Sequence, residues 1–341
     1  MYELTYNKMN WKKSLKYLLS LAIAGLMLYF AFRGIDWNSF MEGLKQCRWG
    51  FIALSMAASV LAFFFRSERW RLLIKPFDQG MDPLTTFNGV NIGYLANFAF
   101  PRLGEVVRCG FISRRSKLRH KKDGGEGVSF DKVLGTVLLS RTWDLAVIFI
   151  LLALLLVTRW QKFGEFFTSQ MIAPLSGRFN LSIMELLGIF AAIMALIIAL
   201  MWMLRSRSRL VQKALGFIKG IFEGFRSIVN TPQKGRFLVL TLLLWSMYWL
   251  MSMSIVWAMP QIQGLNWIDA WFLCLAGSIA WIIPVPGGFG AYHWVVAMAL
   301  SGVYGYIWAD GILYATLNHE AQAITMVVCG FTSYIIEVLR K

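Results

Sequence analysis

Residues Phe237 to Ile268 read FLVLTLLLWSMYWLMSMSIVWAMPQIQGLNWI, and after one aspartate the chain continues as Ala270 to Ala309, AWFLCLAGSIAWIIPVPGGFGAYHWVVAMALSGVYGYIWA. Neither run contains Asp, Glu, Lys or Arg, and each far exceeds the roughly 20 apolar residues that cross a bilayer core. A soluble core needs no such segments. Across all 341 residues the chain is 57% hydrophobic and 15% charged, so two soluble domains, the expectation from length alone, are excluded. The formal charge of +16 sits in short loops between apolar stretches, where anionic lipid headgroups are the natural counter-charge. Nucleic-acid binding is set aside on that ground. Cys47, Cys109, Cys274 and Cys329 are scattered without a CxxC pair and read as small apolar fillers.

Outward from these runs, six segments read as full spans: Ser14 to Phe32, Trp49 to Phe65, Val133 to Val157, Ile183 to Leu204, Phe237 to Ala258 and Gly311 to Val338. No cleavage motif follows the first, which reads as an uncleaved helix. Two further stretches read as broken helices. Leu84 to Phe100 is interrupted by Asn88, Gly89, Asn91, Gly93 and Asn97 and stops at Pro101, and Trp267 to Ile283 stops at PVPGGFG. Short cytoplasmic loops should hold the Lys and Arg. With the N-terminus inside, the basic loop with Arg66, Arg69, Arg71 and Lys75 and the basic stretch Arg114 to Lys122 share one side only if 84–112 turns back near Pro101. The same count makes 267–302 a second hairpin, entering from outside, and leaves the C-terminus inside.

The expected fold is therefore all-α and polytopic in one domain, 1–341, with about six spans and two re-entrant hairpins from opposite faces of a bacterial inner membrane. Such a pair points to an inverted repeat with a site near the midplane, although the residues show no internal repeat. The alternative is ordinary spans kinked by Gly and Pro. Leu210, Ala214, Phe217, Ile218, Ile221, Phe222 and Phe225, interleaved with Arg209, Lys213, Lys219 and Arg226, predict a basic amphipathic helix over 205–230. Trp37, Trp49, Trp160, Trp267, Trp271 and Trp308 fit an interfacial aromatic belt.

Charges within the bilayer are costly and mark candidate sites. Arg102, Glu105 and Arg108 recur at i, i+3 and line one helix face after Pro101. Guanidinium groups suit phosphate, and a carboxylate between them keeps them oriented. The alternative is an internally satisfied Arg-Glu-Arg cluster that holds the hairpin shut. Arg141 and Asp144 are a second i, i+3 pair, read as a substrate contact or a snorkelling ion pair. Pro284-Val285-Pro286-Gly287-Gly288-Phe289-Gly290 cannot be continuous helix; its amides suit an anion, or its glycines allow close packing. His293 follows, and His319 with Glu320 lies in the last span; a buried imidazole there takes up a proton or serves as a hydrogen-bonded core residue. No spacing resembles a metal set, a nucleophile elbow or a phosphate-binding loop, and no cofactor is implied.

Asn97-x-x-x-Pro101-Arg102-x-Gly104-Glu105-x-x-Arg108, Arg141-x-x-Asp144 and Pro284-x-Pro286-Gly287-Gly288-x-Gly290 resemble the transmembrane region of lysylphosphatidylglycerol synthases, a flippase-like family, over nearly the whole chain. The resemblance implies a module that moves an aminoacylated phospholipid between leaflets while a separate cytoplasmic domain transfers the aminoacyl group. Lys341 follows the last span by three residues, so synthase activity is not expected of this chain. Where the family pattern usually carries glutamate, this sequence has His293, so the substrate does not transfer with the resemblance. The resulting expectation is a lipid translocator for an anionic or aminoacylated phospholipid, with Arg102 and Arg108 on the phosphate and Asn97, Gly287, Gly288 and Gly290 completing the site. Two other classes stand beside it: an intramembrane lipid-modifying transferase using Glu105, His293 or His319 as acid or base, and a scaffold that docks a cytoplasmic lipid synthase.

Overall fold

The computed structural model describes residues 11–100, 102–121, 125–161, 182–204, 208, 212, 233–281, 283 and 285–340. These residues form helices and their connections, with no strand among them: α1 (Trp11–Phe32), α2 (Trp37–Gln46), α3 (Trp49–Ile74), α4 (Pro83–Ala99), α5 (Leu103–His120), α6 (Phe130–Thr158), α7 (Ile183–Leu204), α8 (Lys234–Ala258), α9 (Trp267–Ala280), α10 (Ala291–Tyr304) and α11 (Trp308–Leu339). Each of the six expected spans is helical. By length and composition α3, α6, α8 and α11 suffice to cross a membrane, and the α1 and α2 pair, bent by 85° at residues 33–36, is a fifth candidate. Their exposed faces are apolar, with Leu18, Phe149, Leu242 and Phe331 all more than half exposed, as lipid-facing side chains are.

The chain divides into two compact units, Leu138–Leu238 and the remainder. The first holds most of α6, α7 and the start of α8; within it the Trp143 ring meets Phe237 edge to face, with centroids 5.4 Å apart. The second holds both hairpins and the last helix. Its core joins Ile255 and Met259 of α8, Leu273 of α9, Val296 and Leu300 of α10, and Tyr314 of α11, whose hydroxyl donates to the Ser252 carbonyl at 3.0 Å. In lipid, where water does not drive helices together, small residues let backbones approach. Gly311 is an example: a Cβ there would stand 2.9 Å from Ala297 Cα, so α10 and α11 touch along their main chains.

Local signals set the helix starts. Asp82 accepts from the Thr85 amide at 2.8 Å ahead of Pro83 at the first helical position of α4. Asn266 and Asp269 form a reciprocal capping box at the start of α9. Asp36 caps α2, an element absent from the sequence reading because its ten residues carry too little apolar length to register as a span.

Three expectations are corrected. The basic segment containing Arg66, Arg69 and Arg71 is the last part of α3, not a loop. Its charges are tolerated there because they are partnered: Arg71 donates to Glu68 from both Nε (2.9 Å) and Nη2 (2.6 Å), and Arg66 donates to the Tyr248 hydroxyl at 3.0 and 2.7 Å. Arg114 to His120 likewise continues α5. Asn88, Gly89, Asn91 and Gly93 do not break α4, which runs unbroken to Ala99; the polar side chains of Asn88 and Asn91 are buried inside the protein. The amphipathic helix expected over 205–230 lies outside the described residues apart from Ser208 and Gln212.

Candidate functional site

The first hairpin closes through its glycines. Gly93 on α4 and Gly104 on α5 face one another, each placed so that a Cβ would strike the other's carbonyl oxygen. Asn97 Oδ1 accepts from the Gly104 amide at 2.7 Å, satisfying one of the free N–H groups that open α5. Asn97, expected among the substrate contacts, thus has a hairpin-closing bond in this structure. Arg102 makes the turn in a left-handed conformation, φ 63°, a geometry that costs an L-residue about 1–2 kcal/mol. It is the only non-glycine residue with positive φ among the described residues, and it is exposed.

The three charges of this hairpin differ in environment. Arg102 is exposed at the turn, Glu105 is half-buried and Arg108 is buried with its guanidinium 5.1 Å from the centre of the Trp70 ring. Trp70 is itself anchored, its indole N–H donating to Thr136 Oγ1 at 2.9 Å. A desolvated cation over an indole face is worth about 2 kcal/mol, so Arg108 has a preferred seat even before a ligand arrives. Arg141 and Asp144 lie one turn apart in the other unit, the first exposed and the second buried.

The second hairpin places α9 and α10 around a turn in which Gly287, Gly288 and Gly290 all have positive φ (58°, 78° and 77°). Only glycine adopts these conformations without strain, which explains the run PGGFG. The turn is packed on all sides. Val285 and Ala291 cluster with Ala24 of α1, and Gly290 admits no side chain because Ala24 and Leu28 backbone atoms would lie 2.7 Å from its Cβ. Behind it, His319 Nε2 stands 2.9 Å from the Gly287 carbonyl oxygen, and His319 Nδ1 stands 2.9 Å from Glu320 Oε1. His293 Nε2 is 3.7 Å from that same oxygen. The expected residues Gly287, His293, His319 and Glu320 therefore converge.

The two hairpins meet at their turns through aromatic rings. Phe98 of α4 packs edge to face on Phe289, with centroids 6.0 Å apart. The site residues thus fall into a cationic set on the first hairpin and a histidine set behind the second, joined by an apolar contact.

Sequence reasoning missed the polar base beneath the first hairpin. Glu337 on α11 accepts from Asn88 Nδ2 at 2.7 Å and pairs with Arg115 and with Arg340 (3.0 Å). Asp78 pairs with Arg119 and accepts from Ser116 Oγ at 2.6 Å. An acidic residue near the end of an apolar helix was a signal for Glu337; nothing in spacing linked it to Asn88.

Long apolar helices, buried and partnered charges, and two helix–turn–helix insertions define a polytopic all-α membrane protein. The family model described as the lysylphosphatidylglycerol synthase TM region matches residues 17–330, and the chain belongs to that family. No curated protein and no solved structure matches it.

Proposed function

We propose that this protein is a lipid translocator of the bacterial cytoplasmic membrane, with both termini cytoplasmic, moving an anionic or aminoacylated phospholipid between leaflets. Its family membership supports a role with membrane lipid. The observation that carries the proposal is the meeting of two interrupted hairpins at their turns, one bearing Arg102, Glu105 and Arg108 and the other the PGGFG turn. In this reading the hairpins enter from opposite faces. Arg102, strained and exposed, makes the first contact with the lipid phosphate, and Arg108 leaves the Trp70 face to complete a two-guanidinium clamp. Glu105 keeps the arginines oriented or meets a cationic headgroup. Arg141 and Asp144, in the other unit, are a separate candidate contact for lipid.

Reconstitution in liposomes with trace headgroup-labelled phospholipid tests this, the label's access to an impermeant quencher being followed in time. Wild-type protein should accelerate exchange between leaflets, and Arg108→Ala and Glu105→Gln should slow it at equal incorporation. No acceleration with phosphatidylglycerol or its lysyl ester would overturn the proposal. The convergence of His293 and His319 favours a second reading, an intramembrane lipid-modifying transferase. That reading requires a changed lipid mass in cells overexpressing the protein, whereas a translocator changes sidedness alone. A cytoplasmic lipid synthase is a candidate partner on either reading.

A further inference from the structure

The geometry points to a divalent transition-metal site built from His293, His319 and Glu320, with zinc the ion its donors suit. One atom from each residue, two imidazole nitrogens and a carboxylate oxygen, can be chosen so that all three lie within 4.8 Å of one another. The measured separations are 2.9 Å between His319 Nδ1 and Glu320 Oε1, and 3.7 Å between His293 Nε2 and the same oxygen. Four-coordinate zinc with bonds of about 2.0–2.1 Å holds its ligand atoms about 3.4 Å apart, a value those two separations bracket. Two histidines and one carboxylate match the donor set of zinc sites that keep a fourth position open. Glu320 is 38% exposed, so the cluster can be reached from its side.

The arrangement around the ligands supports the same assignment. A carbonyl oxygen only accepts, so the His319 contact with Gly287 places a proton on Nε2 and directs the Nδ1 lone pair of the neutral ring toward Glu320. Two acceptor atoms 2.9 Å apart need a cation or a proton between them. A ligating histidine that donates its other N–H to a backbone carbonyl is the usual arrangement at metal sites. His293 is 2% exposed, and Nε2 is the ring nitrogen it turns toward Glu320 Oε1. The rings of Phe289, Tyr292 and Trp281 surround His319 at centroid distances of 4.9, 5.3 and 5.8 Å and give the site an apolar wall. A bound ion would join α10 to α11 and, through His319 and Gly287, fix the positive-φ turn of the second hairpin. The site stands whether or not the protein moves lipid, because ion binding is measured by itself.

The test uses the full chain, purified in detergent without a polyhistidine tag and stripped with chelator. Titration with Co²⁺ should give about one equivalent with the intense visible bands of four-coordinate cobalt, displaced by Zn²⁺. His293→Gln and Glu320→Gln should each weaken binding roughly tenfold or more, while His120→Asn should leave it unchanged. Pulsed electron paramagnetic resonance of the Cu²⁺-loaded wild-type protein counts coordinated imidazoles, so a variant that fails to fold does not decide the matter; two are expected. Fewer than two imidazoles, only six-coordinate cobalt bands, or binding lost with His120 and kept without His293 would each overturn the assignment. Exchange that persists after stripping would count against neither the site nor the lipid reading, and exchange absent in protein shown to bind one ion would overturn the lipid reading alone.

Discussion

Gly104→Ala tests how the first hairpin is held. The new methyl group would overlap the Gly93 carbonyl and stand 2.7 Å from Asn97 Oδ1, about 0.6 Å inside ordinary carbon–oxygen contact. The obstructing Gly93 carbonyl oxygen is backbone, so relief requires α4 and α5 to separate, and separation breaks the bond from the Gly104 amide to Asn97. Overpacking of this kind costs about 1–3 kcal/mol and the lost bond about 1, against a helix-propensity gain of at most about 1. Gly110 on the same helix meets nothing within 4 Å, so Gly110→Ala takes the propensity gain alone. The two variants should therefore differ by about 3 kcal/mol, which for a chain of this size corresponds to about 4 °C in apparent Tm. Tryptophan-fluorescence melting in one detergent, with fluorescence-detected size exclusion as a check on monodispersity, reads the difference. Equal melting of the two variants, or a more stable Gly104→Ala protein, would refute the close-packed hairpin.

Glu337→Gln should lower stability by about 1–2 kcal/mol, because Arg115 and Arg340 lose their counter-charge but are themselves partly exposed and screened; an unchanged melting temperature at low salt would count against the polar base. Asp82 should make the first turn of α4 sensitive to acid. Partial burial works against its charge, but the Thr85 hydroxyl and amide, Arg340 and its own backbone amide outweigh that and hold its carboxyl below the ordinary value of 3.8. A carboxylate with a depressed folded pKa stabilises fully above its unfolded value and loses that contribution as pH falls through the folded one. Hydrogen exchange of peptide 82–88, corrected for intrinsic rates, should thus show extra opening below about pH 4 in the wild type and a flatter profile in Asp82→Asn. Trp70→Leu removes both the ring beneath Arg108 and the bond to Thr136, and should destabilise by about 3 kcal/mol or more, with Trp70→Phe keeping the ring and losing less. Similar melting of the two would dispose of the cation–π seat.

Sequence alone determined what the solvent dictates. Charge-free runs longer than a bilayer is thick admit only helices, because backbone groups in lipid must be satisfied within the segment. All six expected spans are helices for that reason, and α4 stops at Ala99, just ahead of Pro101, where proline cannot continue a helix, while α9 stops at Ala280, before the PGGFG turn. The charged helix ends were misjudged. Arg66 to Arg71 and Arg114 to Arg119 look like loop on composition, and only their partners Glu68, Tyr248, Glu337 and Asp78 explain how they remain helical. Tertiary structure also decided which polar residues meet. His293 and His319 lie on different helices, so no spacing rule sees them, and they converge because the turn between α9 and α10 is pressed onto α11 through the Gly287 carbonyl. Gly311 sets the distance between α10 and α11, as Gly93 and Gly104 set that between α4 and α5, and such distances are a property of packing rather than of any one segment.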